Sequence, residues 1–440
     1  MNPKPSAPHG RTWFGEPPGL TILFLTNMWE TFSFFGMRAL LVYYLTKQLA
    51  FAQADASLIY GSYAALVYFT PIFGGAISDR WLGRRRAILI GGSIMALGHF
   101  MMAFPTLLFP ALAAIAVGNG FYLPNLPSQI AGLYAPDDPR RGSAYNVYYV
   151  GINLGAFAAP FVVGTLGELY GWHLGFGAAG VGMCIGLLTY VFGSRWLPPE
   201  PARGGARPAD AADGDEATLR EIWPILAGVF VSVVIFRGAY EQIGNTIALW
   251  ADTGVDRHVG SFVVPGSWFQ SLNPLLVFLL TPFLIWHWTR AARDRQEPTE
   301  LRKMTTGALG VAAAFLILVL ANVVGAGTGG AHWIWLVCFL GVYTLSELHI
   351  LPIGLGLYAR LAPHRHRATM IAAWFFASFA GAALAGVLGT FWTRMGHAAF
   401  FLMMALVACI AAGLLHWLES RSRGRITQRA RLAPANADGP

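Results

Sequence analysis

Twelve stretches of near-continuous apolar sequence, each long enough to cross a lipid bilayer, recur along the 440 residues. They lie at roughly 19–47, 55–80, 86–104, 107–134, 142–168, 173–196, 219–252, 265–291, 302–325, 331–361, 366–394 and 397–420. A span needs about 20 apolar residues of helix, and in lipid every backbone N–H and C=O must find its partner within the protein. Runs of this length meet that demand as helices. Several exceed it, which predicts tilted or protruding helices. Only 12% of the residues are charged and the mean hydropathy is +0.51, whereas a soluble domain carries about 25% charge. The chain is therefore read as an all-α, multi-pass integral membrane protein.

The few charges fix a topology. Alternating spans put both termini on one side, with the loops after spans 2, 4, 6, 8 and 10. Of the 30 Lys and Arg, 25 fall on that side. The opposite side holds Lys47, Arg257 and Arg394, and Arg38 and Arg237 fall inside spans. The positive-inside rule then makes both termini cytoplasmic. The net charge of +8 is thus a topology signal rather than a nucleic-acid footprint. Residues 1–18 form a polar, proline-rich cytoplasmic segment without the pattern of a signal peptide, so the first span is expected to act as its own insertion signal. Residues 197–218, rich in Pro, Ala, Gly and charge, read as a cytoplasmic linker. It divides a six-helix bundle at 19–196 from a second at 219–420, and 421–440 is a basic cytoplasmic tail. Cys184, Cys338 and Cys409 each lie in an apolar segment, which predicts free thiols.

Some spans carry residues that a bilayer disfavours. A charge at a helix centre costs about 2.5–3.5 kcal/mol on the insertion scale. In the first span Asn27, Glu30, Thr31, Phe34 and Arg38 recur at helical spacing and share one face. Such residues face a protein interior or watery cavity and mark a pathway. The plainer reading is an ion pair within the bundle. In the seventh span, Arg237, Glu241 and Asn245 stack four residues apart, so Arg237 and Glu241 can pair across one turn. Arg237 either holds a solute carboxylate through its planar fork or only neutralises Glu241. Glu347 lies in the tenth span, just before Pro352 and Gly354, which loosen the helix. His349 is expected to pack. His99, in the third span, is a satisfied core histidine or, less simply, a proton relay.

Two six-span halves joined by a linker is the layout of a transporter with its site at the midplane between the halves. "GGAISDRWLGRR", residues 74–85, follows the second span. Its Gly75, Asp79, Arg80, Gly83 and Arg84 resemble the gating loop of the major facilitator superfamily, where Asp and Arg can pair across helix ends and hold one conformation. The likeness narrows in "FSFFGMRALLVYYL", "GNGFYLPN", "YNVYYVGINLGAFAAP", "GWHLGFGAAGVGM", "YEQIGNTIALWAD", "PGSWFQSLNP" and "SELHILPIGL". These resemble the proton-dependent oligopeptide transporter family over nearly the whole chain. Many bacterial members carry two extra helices between the halves, for which this linker is too short and too polar.

That resemblance implies a twelve-helix major facilitator fold in the bacterial inner membrane and a secondary active transporter, not an enzyme. It implies a small peptide-like solute and protons as partners, no cofactor or metal, and a monomer. Glu241 and then Glu30 are its implied proton-coupling residues. Arg38, Glu347, Tyr68, Asn153, Asn273, Trp374 and Ser378 are its implied solute-binding residues, with Glu347 receiving an amine, while Arg237 falls where the family has an uncharged residue and is read as a substitute for a lost cation that binds the solute. The departures carry information too. The family's Glu-x-x-Glu-Arg on the first span is Asn27, Glu30 and Thr31 here. Its lysine on the fourth span is Leu123, and two pocket tyrosines are Phe34 and Phe35. This argues against ordinary di- and tripeptides as main solutes and against the usual coupling route through span 1. The alternatives are a modified peptide, such as a siderophore or peptide antibiotic, and a transporter-like sensor that binds without moving solute. "GAGTGG", residues 325–330, lacks the Lys-Ser/Thr of a phosphate loop. His364 and His366, in "HRHR", lack further ligands for a metal.

Overall fold

The computed structural model describes residues 15–135, 138, 140–200, 213–294, 297–326, 330–361 and 367–432. Most of the expected N-terminal segment, the middle of the expected linker, His364 and His366 lie outside the described residues. Helices account for the twelve expected spans. In order they are α1 (Pro18–Tyr43), α2 (Gln53–Ile77), α3 (Arg84–Met101), α4 (Leu108–Tyr122), α5 (Arg140–Ala159) and α6 (Trp172–Gly193). Then come α7 (Asp213–Tyr240), α8 (Thr246–Thr253), α9 (Leu272–Arg293), α10 (Glu300–Val324), α11 (Ile334–Leu348), α12 (Leu351–Leu361), α13 (Arg367–Gly389) and α14 (His397–Leu432). Span 7 is α7 and α8 in series, broken at Glu241–Gly244, and span 10 is α11 and α12, broken at His349–Ile350. Among the described residues ten spans are long and apolar enough to cross a membrane by length and composition alone. The other two carry the expected exceptions: α1 holds Glu30 and Arg38, and the 18-residue α3 opens on Arg84, Arg85 and Arg86.

Local chemistry sets the ends. Pro18 occupies the first turn of α1, where its missing N–H costs nothing. Thr299 caps α10 by accepting from the Arg302 N–H. After α2 the chain widens into a turn closed by Gly83 N–H to Ser78 C=O, and Gly83 adopts φ +80° so that α3 can start at Arg84. Two boundaries differ from expectation. Helix α7 starts at Asp213, inside the expected linker, and α14 runs to Leu432, into the expected tail. Both extensions are polar sequence that continues a helix already nucleated by its apolar turns.

α1–α6 pack on one another, with α1 against α5 and α6 and α3 against α4 and α6. α7 to α14 form the second group around α10, α13 and α14. The groups meet along α2 with α13 and α5 with α9. Four short strands lie at the end away from the arginine-rich loops. β1 (Val255–Asp256) pairs in parallel with β4 (Ala331–His332), and β2 (His258–Val259) pairs antiparallel with β3 (Phe262–Val263).

That far end is where the halves are tied. Glu168 accepts from the Gly266 and Ser267 N–H groups at 3.1 and 2.9 Å. Trp268 Nε1 donates to Thr165 Oγ1, and Tyr43 OH donates to the Ala248 C=O. Lys47 pairs with Asp252, whose other oxygen accepts from Arg257. Among the described residues, every side-chain hydrogen bond or ion pair between the halves lies between the mid-span cluster described below and this end.

The α2–α13 seam requires glycine. A Cβ on Gly61 would stand 2.4 Å from Gly386 Cα and 3.0 Å from the Ala382 carbonyl oxygen. Backbone cannot yield as a flexible side chain does. Gly61→Val should therefore hold α2 off α13 and open the far end. A cysteine placed at Gln53 should then react several-fold faster with a membrane-impermeant maleimide than in the Gly61 background, and an unchanged rate would contradict this seam.

Candidate functional site

The break in span 7 places its acid. At Glu241 the helix tightens into a single turn, and Asn245 then takes φ −114°, ψ −100° before α8 resumes. Glu241, only 1% exposed, is held from three directions. Arg237, one turn earlier, donates from Nη1 to Oε1 at 2.7 Å. Arg38 of α1 donates from Nη2 to Oε2 at 2.5 Å, and Tyr68 of α2 donates to Oε1 at 3.1 Å. Arg38 also donates from Nε to Tyr60 OH at 2.6 Å, and the Arg237 guanidinium lies 4.7 Å from the Tyr68 ring centroid. Two guanidiniums against one carboxylate leave this cluster with a net charge of +1.

A polar chain continues toward the far end. Gln53 donates to Ser57 Oγ and to the Gly389 C=O, Ser57 donates to Asn245 Oδ1, and Asn245 donates to Gln242 Oε1. Gln242 closes it on the Ala385 C=O at 2.9 Å. These bonds satisfy side chains that would otherwise be unpaired in a dry interior.

Toward the arginine-rich end, Arg38 and Tyr68 of this cluster line a cavity of about 850 Å³, while Glu241 and Arg237 stand behind its wall. Asn27, Glu30, Thr31, Phe34, Phe35, Arg38, Tyr63 and Tyr68 line its upper part. Leu123, Pro124 and Pro127 of the first half face Leu355, Ile371 and Phe375 of the second lower down. The wall is overwhelmingly apolar, with charge confined to Glu30 and the Arg38 cluster, as befits a binding chamber with few oriented polar groups.

The expected site residues separate into groups. Arg38, Arg237, Glu241 and Tyr68 come together in one cluster. Glu30 lines the same cavity but does not pair with Arg38, whose guanidinium is taken by Tyr60 and Glu241. The simple ion pair within span 1 is thus replaced by one across the halves. Glu347 lies off that cavity's wall, its Oε2 accepting from Asn273 Nδ2 at 2.8 Å. Asn153 donates to the Tyr149 C=O, Ser378 donates to the Trp374 C=O, and Trp374 packs edge-on to Tyr358. None of those three lines the cavity.

In the gating loop Asp79 and Arg80 are exposed, and Asp79 has no ion pair among the described residues. Arg84 instead donates to the Ser128 C=O, and Arg85 grips the Leu197 and Pro198 carbonyls while its N–H meets Glu200. Among the described residues the expected Asp–Arg pairing is not made: Arg84 and Arg85 turn to backbone carbonyls and Arg80 stacks on the Trp81 ring. His349 packs as expected, edge-on to Trp288, with Nδ1 on the Leu345 C=O. His99 differs from a satisfied core histidine: it is fully buried and neither ring nitrogen has a hydrogen-bond partner among the described residues. The cysteines are free. Tyr60, Ser57, Gln53 and Gln242 had not been singled out. Their only sequence signal was polarity inside an apolar span.

A sequence model described as the POT family matches residues 85–212 and 214–405. A di-/tripeptide transporter of Lactococcus lactis subsp. cremoris is 31% identical, over 92% of this chain and 95% of its own. A peptide transporter of Yersinia enterocolitica subsp. palearctica is 31% identical, over 88% and 90%. A crystal structure of a POT peptide transporter with sulfate superposes at a TM-score of 0.84, with 31% identity and coverage of 93% and 96%.

The two arginines should be separable by experiment. Arg38→Gln removes the mid-span ion pair between the halves but leaves Glu241 paired with Arg237. Arg237→Gln keeps the cross-half bond. A charged hydrogen bond is worth about 1.5–3 kcal/mol, so Arg38→Gln should raise far-end maleimide labelling about tenfold or more, whereas Arg237→Gln should not. Equal labelling of the two variants would contradict this assignment.

Proposed function

Because the chain belongs to the POT family and has the major facilitator fold, we propose that it moves a peptide-like or amino-acid-derived solute across the bacterial inner membrane by alternating access, with Glu241 carrying the coupled proton. The observation that supports this reading is that Arg38 and Tyr68 line the apolar cavity while holding, behind its wall, the Glu241 carboxylate that Arg237 also pairs with. With the arginine-rich loops cytoplasmic, the cavity faces the cytoplasm and the tied end faces outward.

A solute carboxylate entering the cavity meets Arg38 first and competes with Glu241 for it, leaving Glu241 to Arg237 and Tyr68. The guanidinium fork suits either partner. A buried carboxylate that loses a cationic partner is more readily neutralised by taking a proton. Protonated Glu241 no longer ties α1 to α7, so the halves can rock. Proton and solute movements are thereby linked through one exchange of partners. The membrane potential supplies about 2.3 kcal/mol per charge per 100 mV.

The wall favours a modified or apolar peptide over a small free one. Phe34, Phe35 and Leu123 offer surface but no hydrogen bond to a short, heavily hydrated solute. Dialanine should therefore bind about tenfold or more weakly than it binds the Lactococcus di-/tripeptide transporter, measured side by side by calorimetry. Comparable affinity would count against the neutralised-pocket reading.

Two proteoliposome assays test the coupling, with labelled trialanine as solute. Glu241→Gln should abolish uphill uptake driven by an inward proton gradient. It should spare exchange of labelled for unlabelled solute, which needs alternating access but no net proton movement. A variant that still concentrates solute would move the proton to Glu30. A wild type that neither takes up nor exchanges any peptide would favour a binding or sensing role.

A further inference from the structure

The cytoplasmic ends of the spans repeat one pairing that lies away from the cavity and ties no helices together. Arg80 stands over the ring of Trp81, its guanidinium carbon 5.6 Å from the centroid. Arg195 stands over Trp196 at 4.0 Å, Arg290 over Trp286 at 5.9 Å and Arg421 over Trp417 at 4.8 Å. These distances lie within the reach of a cation–π contact. All four rings and all four arginines are exposed. None of the four guanidiniums makes a hydrogen bond or ion pair with protein among the described residues. Nearby arginines differ in this respect: Arg84 and Arg85 hold backbone carbonyls, Arg140 holds Asp138 and Arg360 holds Glu300.

Their place along each helix gives their level in the bilayer. On α9 the exposed residues Leu279, Phe283, Trp286 and Arg290 follow at i, i+4, i+7 and i+11, which puts them on one stripe. On α14 Leu406, Ile410, Trp417 and Arg421 repeat the pattern at i, i+4, i+11 and i+15. On α6, exposed Leu188 and Phe192 lead to the turn that carries Arg195 and Trp196. On α2, exposed Leu66 and Phe73 lead to the turn that carries Arg80 and Trp81. Where an exposed apolar stripe gives way to tryptophan and then to arginine, hydrocarbon gives way to headgroups. Two of the pairs belong to each half. Spans 4 and 10, whose Leu123 and Leu355 line the cavity, end without a tryptophan. At the far end, among the described residues, Lys47 and Arg394 stand over Tyr43 and Phe391, and no arginine stands over a tryptophan.

We propose that each of these Arg–Trp pairs is a docking point for the headgroup of an anionic phospholipid in the cytoplasmic leaflet. The ring covers one side of the guanidinium and leaves the N–H donors at its rim, a planar fork that suits a phosphate. The indole rests at the level where the acyl chains begin, and the apolar stripe beyond it lies along the chain. An anionic headgroup fits better than a zwitterionic one. A zwitterionic headgroup carries its own cation, which competes with the guanidinium for the phosphate. Arginines without a protein counter-ion gain most from a partner of net negative charge, about fivefold in affinity for each arginine at an anionic surface.

The test is native mass spectrometry of the purified full-length protein in detergent, titrated with dioleoylphosphatidylglycerol or dioleoylphosphatidylcholine. The wild type should retain one phosphatidylglycerol per pair under activation that strips phosphatidylcholine. Arg195→Gln, Arg290→Gln and Arg421→Gln combined should lose three of these lipids. Arg80 is kept in that variant because it belongs to the gating loop. The control combines Arg86→Gln, Arg293→Gln and Arg302→Gln, three exposed arginines that stand over no ring. It removes the same charge and should retain the full set. Each single arginine change should weaken phosphatidylglycerol retention at one site by about fivefold. Trp286→Leu and Trp417→Leu keep the charge but remove the ring, and each should weaken its site by about two- to fivefold. These single variants carry the test should the triple variant fail to fold. Equal loss in the control would mean attraction by bulk charge alone and overturns the docking points. Wild-type retention of phosphatidylcholine equal to that of phosphatidylglycerol also overturns them, as does undiminished retention in the single variants.

Discussion

One buried carboxylate between two guanidiniums ties the structure together. Glu241 belongs to the second half and Arg38 to the first, and their 2.5 Å contact is the point where the halves touch through charge in the middle of the spans. Glu241 is buried and Arg38 largely so, which weakens screening and strengthens the attraction, but both ions have given up much of their hydration to make it. The arrangement holds only while geometry is good and every remaining donor has work. Tyr60, Tyr68 and the Arg237 fork supply that support. The same balance makes the bond exchangeable. An ion pair can exchange one carboxylate for another in a way that a packed hydrocarbon seam cannot.

What surrounds the bond divides its two sides. Toward the far end the halves are joined by a succession of hydrogen bonds, with Glu168 on two backbone N–H groups and Gln53, Ser57, Asn245 and Gln242 in series. Close backbone approach at Gly61 and Gly386 brings α2 and α13 near enough for the seal. Toward the arginine-rich end apolar walls diverge around the cavity. Bonds of this kind are individually modest, about 0.5–1.5 kcal/mol each, so the seal can be undone by a shift at the central cluster. The breaks at Glu241–Gly244 and His349–Ile350 interrupt spans 7 and 10 within their length. Irregular backbone is tolerated at this depth only where it is buried in protein or lines a cavity, and span 7 meets that condition through the Gln242 and Asn245 side chains.

The number and course of the spans were legible in the sequence because the bilayer demands about 20 apolar residues of helix whatever the tertiary context. Arginine placement likewise distinguishes the two ends locally, loop by loop. The pairing of Arg237 with Glu241 was legible for the same reason: four residues on a helix are neighbours by geometry alone. What Arg38 does was not. Its partner lies 203 residues away on another helix, and nothing in the local pattern of span 1 distinguishes an arginine aimed at Glu241 from one aimed at Glu30. Nor could helical spacing show that Trp374, Ser378 and Asn153 turn aside from the large cavity.

The sequence by itself thus determined the elements, their order, the family likeness and the inventory of charged residues within the spans. Each of those follows from short-range periodicity or from the solvent that the chain must satisfy. Tertiary packing alone decided which charges cancel and which remain exposed to a solute. It gave Arg38 to Glu241, took Asn273 for Glu347, and left Glu30 with only the Thr31 hydroxyl. Partner choice among buried ions depends on distances of a few ångströms between helices remote in sequence, because Coulomb energy in a low dielectric falls off with separation and not with position along the chain.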